Sequence, residues 1–194
     1  MTGLDQVKEL RIRTGCGIVD CQAALQETSG DIEKAIIILR KKGKTGAAKK
    51  AKRATREGVV ASYVHSNGKI AAQVSLLCET DFVARNEKFK ELAHNIALHI
   101  AALDPVAVNP DDIPEAALAE EKSIAVEQAT SSGKPANIQE KMIEGKLKKF
   151  KAERALLTQP YAKDPNKTVG DLIVEAISEL GENISVGEFT RLAI

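Results

Sequence analysis

Along residues 1–43, apolar side chains recur at helical spacing in three short runs. Leu4, Val7 and Leu10 define the first face, Cys21, Ala24 and Leu25 the second, and Ile32, Ala35, Ile36 and Leu39 the third. Thr14-Gly15-Cys16-Gly17 breaks the pattern after the first run, because two glycines permit backbone angles that other residues resist. Ser29-Gly30-Asp31 separates the second run from the third, with Asp31 placed to cap the helix that follows. A basic turn and then Gly43 form a stop signal, so the third helix is expected to end there. A core built from about 43 residues is very small and suits a docking unit better than an enzyme. Residues 44–57 hold good helix formers among basic side chains and read as a partly helical connector.

At Gly58 the period changes. Val59 to His65 and Lys69 to Glu79 read as two strands, and Ser66-Asn67-Gly68 between them is a strong hairpin signal. Thr80 to Asn86 leaves the second strand. A helix follows, with Phe89, Leu92, Ala93, Ile96, Ala97 and Ile100 inward and Asp104-Pro105 as its end. Val106-Ala107-Val108 is a short extended piece. Helices over 115–131 and 135–154 are separated by Gly133-Lys134-Pro135, a short connection that favours an antiparallel pair. Gln159-Pro160-Tyr161 is extended, and Thr168 with Asp171 approximates a capping box before a helix closed by Gly181. Ile184 to Leu192 is a last strand that must return to the hairpin, since a lone two-stranded sheet is marginal. The expected fold is α+β: three helices at 1–43, a connector at 44–57, and a core at 58–194 in which a small antiparallel sheet is packed by helices.

Composition narrows the function. The 194 residues are 43% apolar and 28% charged, which is ordinary for a folded chain and rules out wholesale disorder. Aromatic residues are only 3%, too few to supply a stacking platform for single-stranded nucleic acid. No apolar run could span a bilayer, and the first residues show neither the basic nor the apolar region of a secretory signal. Three cysteines cannot all pair, and reduced thiols in a cytoplasmic protein are the simplest expectation. The net charge of +1 hides an asymmetry: residues 40–56 carry nine basic side chains and no acid, so the rest of the chain sums to about −8. That segment is either a solvated linker or a contact for phosphate or an acidic protein face.

Catalytic patterns fail on inspection. Gly43-Lys44-Thr45 lacks the glycine that a phosphate loop needs five residues earlier, where Ile38 stands, and no strand precedes it. Gly15-Cys16-Gly17 has Asp20 where a dinucleotide fingerprint needs glycine. Cys16 and Cys21 are five apart, the wrong spacing for a redox pair or a zinc site. His94 and His99 do not share a helix face. No catalytic residue, cofactor site or metal site is expected. Thr80-Asp81-Phe82-Val83 admits two readings. Thr80 or Asp81 caps the next helix while Phe82 enters the core, or a rigid loop presents one acid and one aromatic to a partner.

At these residues the chain resembles the bacterial translation elongation factor Ts family. The match runs through Val7-Lys8-Glu9-Leu10-Arg11, Gly30-Asp31-Ile32-Glu33-Lys34-Ala35, Cys78-Glu79-Thr80-Asp81-Phe82-Val83-Ala84-Arg85-Asn86, Gly133-Lys134-Pro135, Glu140-Lys141-Met142-Ile143-Glu144-Gly145-Lys146 and Gln159-Pro160-Tyr161, in order. The resemblance implies a guanine-nucleotide exchange factor, not an enzyme, whose partner is the GTPase elongation factor Tu. It implies that residues 1–43 form a ubiquitin-associated-like docking module. It assigns Thr80, Asp81, Phe82 and Val83 to dislodging the partner's Mg²⁺, and it carries docking contacts to Ile18, Val19 and Lys50. One hairpin and one Thr-Asp-Phe-Val motif match the short form with a single core subdomain. The resemblance therefore implies a homodimer and a two-plus-two complex, without direct nucleic-acid or membrane contact. The competing reading is a ribosome- or RNA-associated adaptor working through the 40–56 basic segment.

Overall fold

The computed structural model describes residues 3–194 and has the α+β architecture that the sequence predicts. Contacts divide the chain into two compact units. One holds the chain up to Ala61, with Ser75–Ala93 and Asp171–Gly187; the other holds Ser62–Val74, His94–Gly170 and Glu188–Ile194.

In the first unit, α1 (Gly3–Thr14), α2 (Ile18–Glu27) and α3 (Ile32–Lys50) enclose Leu10, Cys21, Ala24, Leu25, Ala35 and Leu39. Val7, Ile32 and Ile36 pack at the edge of this cluster, whereas Leu4, expected inside, is 69% exposed. Gly15 takes a φ of +67° and lets the chain reverse between α1 and α2. Asp31 caps α3 by accepting a 3.0 Å bond from the Lys34 amide.

The third helix does not stop at Gly43 but runs on to Lys50. The reason is tertiary. A Cβ at residue 43 would lie 2.9 Å from Ser178 Oγ and 3.7 Å from a Val174 methyl, both on α8 (Val169–Leu180). Glycine costs an isolated helix about 1 kcal/mol, but here it lets two helices approach. Lys44 pairs with Asp171 at 3.0 Å, and Lys50 Nζ donates to the Ile177 carbonyl in the last turn of α8 at 3.3 Å. That carbonyl also accepts the Gly181 amide at 3.1 Å, so the lysine adds a second, charged donor at the negative end of the helix.

Strands β1 (Glu57–Val64) and β2 (Ile70–Cys78) form the expected hairpin. The Gly68 amide donates to the His65 carbonyl, and only Gly68 in the turn has positive φ, at +68°. The connection is therefore a turn followed by a left-handed glycine rather than a two-residue Asn-Gly loop. On β2, Ala72, Val74, Leu76 and Cys78 alternate inward. The last strand, β5 (Ser185–Ala193), returns beside β2 and makes β2 the centre of a three-stranded antiparallel sheet ordered β1-β2-β5. A one-turn helix, α4 (Asp81–Ala84), follows β2. After it, α5 (Glu87–Leu103) buries Phe89, Ala93, Ile96, Ala97 and Ile100.

In the second unit, α6 (Glu115–Ser131) and α7 (Ala136–Arg154) form the antiparallel pair. Only Ala125 and Ala129 of α6 are buried, and no residue of α7 is. Ala107 bridges to Ala155 in the expected extended piece. Pro160–Tyr161 (β3) pairs antiparallel with Asp164–Thr168 (β4), a strand that its charged and polar sequence conceals.

Behind this second sheet lies a buried polar network. His99 Nδ1 accepts from the Ala162 amide at 3.2 Å, so the ring proton sits on Nε2 and is donated to Gln159 Oε1 at 2.9 Å. Gln159 Nε2 in turn donates to the Glu153 and Leu103 carbonyls. Burial holds the His99 pKa below its ordinary value, and the bond to Gln159 offsets this only in part.

Two outcomes are expected. A Cβ at Gly58 of β1 would run into the Leu76 carbonyl oxygen of β2, and backbone cannot swing aside as a side chain can. Gly58→Ala should cost about 1–3 kcal/mol in urea unfolding. For His99, the neutral form is favoured in the folded state, so its contribution is present above the unfolded pKa of about 6.5 and is lost as pH falls from there through the lower folded value. The urea midpoint should drop across that window, and the drop should shrink in His99→Gln.

Candidate functional site

The loop between β2 and α5 is held at its base and open at its tip. Thr80 caps α4, although its Oγ1 accepts from the Val83 amide only at 3.5 Å. Its stronger partners come from the segment after α8. Glu182 Oε2 accepts from the Glu79 and Thr80 amides at 3.0 Å each, and Glu182 Oε1 accepts the Thr80 hydroxyl at 2.6 Å. The Thr80 carbonyl accepts from Cys78 Sγ at 3.2 Å and from the Ala84 amide at 3.2 Å.

A second set of bonds runs the other way. Glu79 Oε1 accepts from the Asn183 amide at 2.6 Å and pairs with Arg53 at 3.4 Å, while Asn183 Nδ2 donates to the Arg53 carbonyl at 2.8 Å. The Asn183 amide, and then Arg53, hold the Glu79 carboxyl below the usual carboxylate range. Burial pushes the Cys78 thiol up, so it remains a neutral donor.

From this base the side chains diverge. Ala84 is buried and Val83 is half-buried. Asp81 makes an exposed 3.0 Å pair with Arg85, a geometry worth little in water. Phe82 is 82% exposed. Of the two readings of this segment, the structure takes Thr80 as the cap and leaves Phe82 outside the core.

The other singled-out residues lie elsewhere in the same unit. Ile18 and Val19 open α2 and are 50% and 76% exposed. Lys50 is half-buried, with its ammonium on Ile177, though an ammonium has two further donors. Several basic side chains of residues 40–56 are engaged internally: Lys42 with Glu27, Lys44 with Asp171, Lys50 with Ile177 and Arg53 with Glu79. Among the described residues no cluster of His, Cys, Asp or Glu is placed to hold a metal, and no helix is long and apolar enough to cross a membrane. All three cysteines are free.

Glu79, Glu182, Asn183 and Arg53 were missed by sequence reasoning. Glu182 stands 102 positions from Thr80, and no local spacing signals such a pair.

A family model described as elongation factor TS matches residues 21–194. The chain belongs to the elongation factor Ts family. Elongation factor Ts of Rubrobacter xylanophilus is 49% identical over 190 residues, covering 98% of this chain and 97% of its own length. That of Fervidobacterium nodosum is 54% identical over 188 residues, covering 97% and 95%. That of Thermosipho melanesiensis is 53% identical over 188 residues, covering 97% and 96%. Membership makes this chain a translation elongation factor with nucleotide-exchange function. The family model begins at Cys21, so the Cys78–Asn86 segment falls inside the match and Ile18 and Val19 fall just before it.

The geometry separates two classes of substitution. Phe82→Ala should change unfolding free energy by no more than about 0.5 kcal/mol, as at other exposed positions. Thr80→Ala should cost about 1–2 kcal/mol, because it removes a cap and strands a carboxylate oxygen. Urea unfolding of both variants checks this; a cost of about 3–5 kcal/mol for Phe82→Ala would mark a core aromatic instead.

Proposed function

We propose that this elongation factor Ts family member acts in the cytoplasm on the GTPase elongation factor Tu and expels GDP by inserting Asp81 and Phe82 beside the partner's Mg²⁺ and phosphates. The observation that carries the reading is the exposed Phe82 on a fixed base, in a protein with few aromatic residues. GDP in such a GTPase is held by a phosphate loop and a bridging Mg²⁺, so disturbing the ion weakens every contact that depends on it. The factor does no covalent chemistry. It binds the empty partner more tightly than the GDP-bound one, and by linkage it weakens GDP binding by the factor by which GDP weakens its own.

Burial of one Phe is worth roughly 1.5–3 kcal/mol, about one to two decades in affinity. A large effect therefore needs further contacts. Thr80 and Val83 set the segment's course, and the three-helix module, with Ile18 and Val19 exposed, supplies docking area. Lys50 contributes through its free donors. Exposed Val60, Val64 and Leu192 on the edge strands β1 and β5 support a homodimer and a two-plus-two complex. The engagement of Lys42, Lys44, Lys50 and Arg53 within the chain weighs against an RNA adaptor that needs the whole basic segment.

The test is the release of labelled GDP from elongation factor Tu. Phe82→Ala should lower the maximal rate about ten- to a hundredfold, whereas Ile18→Asp with Val19→Asp should raise the half-saturating concentration. Unaltered release by Phe82→Ala would end the proposal, and a steep fall of partner-independent RNA affinity with salt would favour the adaptor. Light scattering should give twice the 20.8 kDa chain mass at working concentration; the chain mass alone would remove the dimer.

A further inference from the structure

The proposed exchange segment cannot set its own direction. Helix α4 is a single turn of four residues, and one turn fixes several backbone angles for very few hydrogen bonds. Its cap bond, from the Val83 amide to Thr80 Oγ1, is long. The tip side chains add little, since the Asp81–Arg85 pair is exposed. What holds the segment must therefore lie at its base.

There one side chain dominates. The Glu182 carboxylate takes three hydrogen bonds from two consecutive residues: both amides and the Thr80 hydroxyl. Bonds to an ionised acceptor are stronger than neutral ones. With Cys78 Sγ and the Ala84 amide on the Thr80 carbonyl, every polar atom of Thr80 has a partner. Glu182 is itself fixed through its neighbour, because Asn183 is buried and bonded to Glu79 and Arg53.

We propose that Glu182 is the positioning residue of the exchange segment: it locks the Glu79–Thr80 backbone so that Asp81 and Phe82 leave the sheet in one direction, ready to enter the partner. The inference rests on the reading that Asp81 and Phe82 drive release. Glu182 touches neither nucleotide nor Mg²⁺; it lowers the ordering cost that a loose segment would meet on insertion.

The experiment uses the full chain and elongation factor Tu loaded with labelled GDP. Glu182→Ala should lower the maximal release rate about tenfold, since small misplacement of an inserted side chain is costly, while the half-saturating concentration stays within about twofold. Glu182→Gln keeps the volume and one acceptor oxygen and should fall between; it carries the same test if the alanine variant folds poorly. In a background of Asp81→Ala with Phe82→Ala, either change should add less than about twofold, because it acts through side chains already absent. Hydrogen exchange at the Glu79 and Thr80 amides should quicken while α5 stays protected.

Normal release by the Glu182 variants beside slow release by the Asp81/Phe82 double variant overturns the positioning role alone. Normal release by that double variant overturns the reading beneath it. A loss that persists undiminished in the double-variant background, or that comes with lost protection along α5, makes Glu182 a general structural residue and also overturns the proposal.

Discussion

Close approach of small residues is the constraint from which the rest of this structure follows. Of the 29 buried apolar residues described, 12 are alanine, and Phe89 and Tyr161 are the only aromatic ones. Each alanine removes little area from water, so hydrophobic stabilisation must come from backbones lying near one another rather than from large side chains between them. Gly58 and Gly187, each on a strand beside β2, mark where the approach is tightest, and Gly43 against α8 is a further close contact. Against this background an exposed phenylalanine stands out.

A core of small side chains specifies register weakly, and buried polar contacts supply what packing does not. Glu182 accepts from the Glu79 amide while the Glu79 carboxylate accepts from the Asn183 amide in the first unit, and His99 with Gln159 ties three backbone segments in the second. Groups of this kind are costly to bury unless satisfied, and among the described residues no buried side-chain nitrogen or oxygen lacks a partner. An alternative packing would leave some of them unpaired, which makes the native arrangement the one that costs least.

Much of this was legible in the sequence, because its signals are local. Asp31, the Asn67-Gly68 turn, the inward faces of α2, α3 and α5 and the return of β5 all follow from spacing and turn chemistry. The failures share one cause. Gly43 carries a stop signal, but Val174 and Ser178, more than 130 positions away, turn it into a packing contact. Leu4 fits the apolar period of α1 yet has nothing to cover it. Asp164–Thr168 lacks strand composition and is a strand only because Pro160–Tyr161 lies beside it. At the site, the motif around Thr80 could be read but the exposure of Phe82 could not, since capping and core burial fit the same residues. Glu182 had no signature, because a carboxylate reveals its purpose only beside the amides it accepts from.

The unbroken course of α3 bears on how the two proposed contact surfaces would cooperate. Had the helix ended at Gly43, Ile18 and Val19 would ride on a tether, and their benefit to Phe82 would be an effective concentration set by a fluctuating chain. Instead α3 continues seven residues further, with Lys44 and Lys50 fastened to α8. On the proposed assignment the first unit would be a stiff bivalent ligand. Stiffness raises avidity when both sites on the partner are correctly spaced, and forfeits it sharply when they are not. Such a ligand is able to sense the partner's shape: a GTPase whose two contact surfaces shift apart on binding nucleotide would lose one grip or the other.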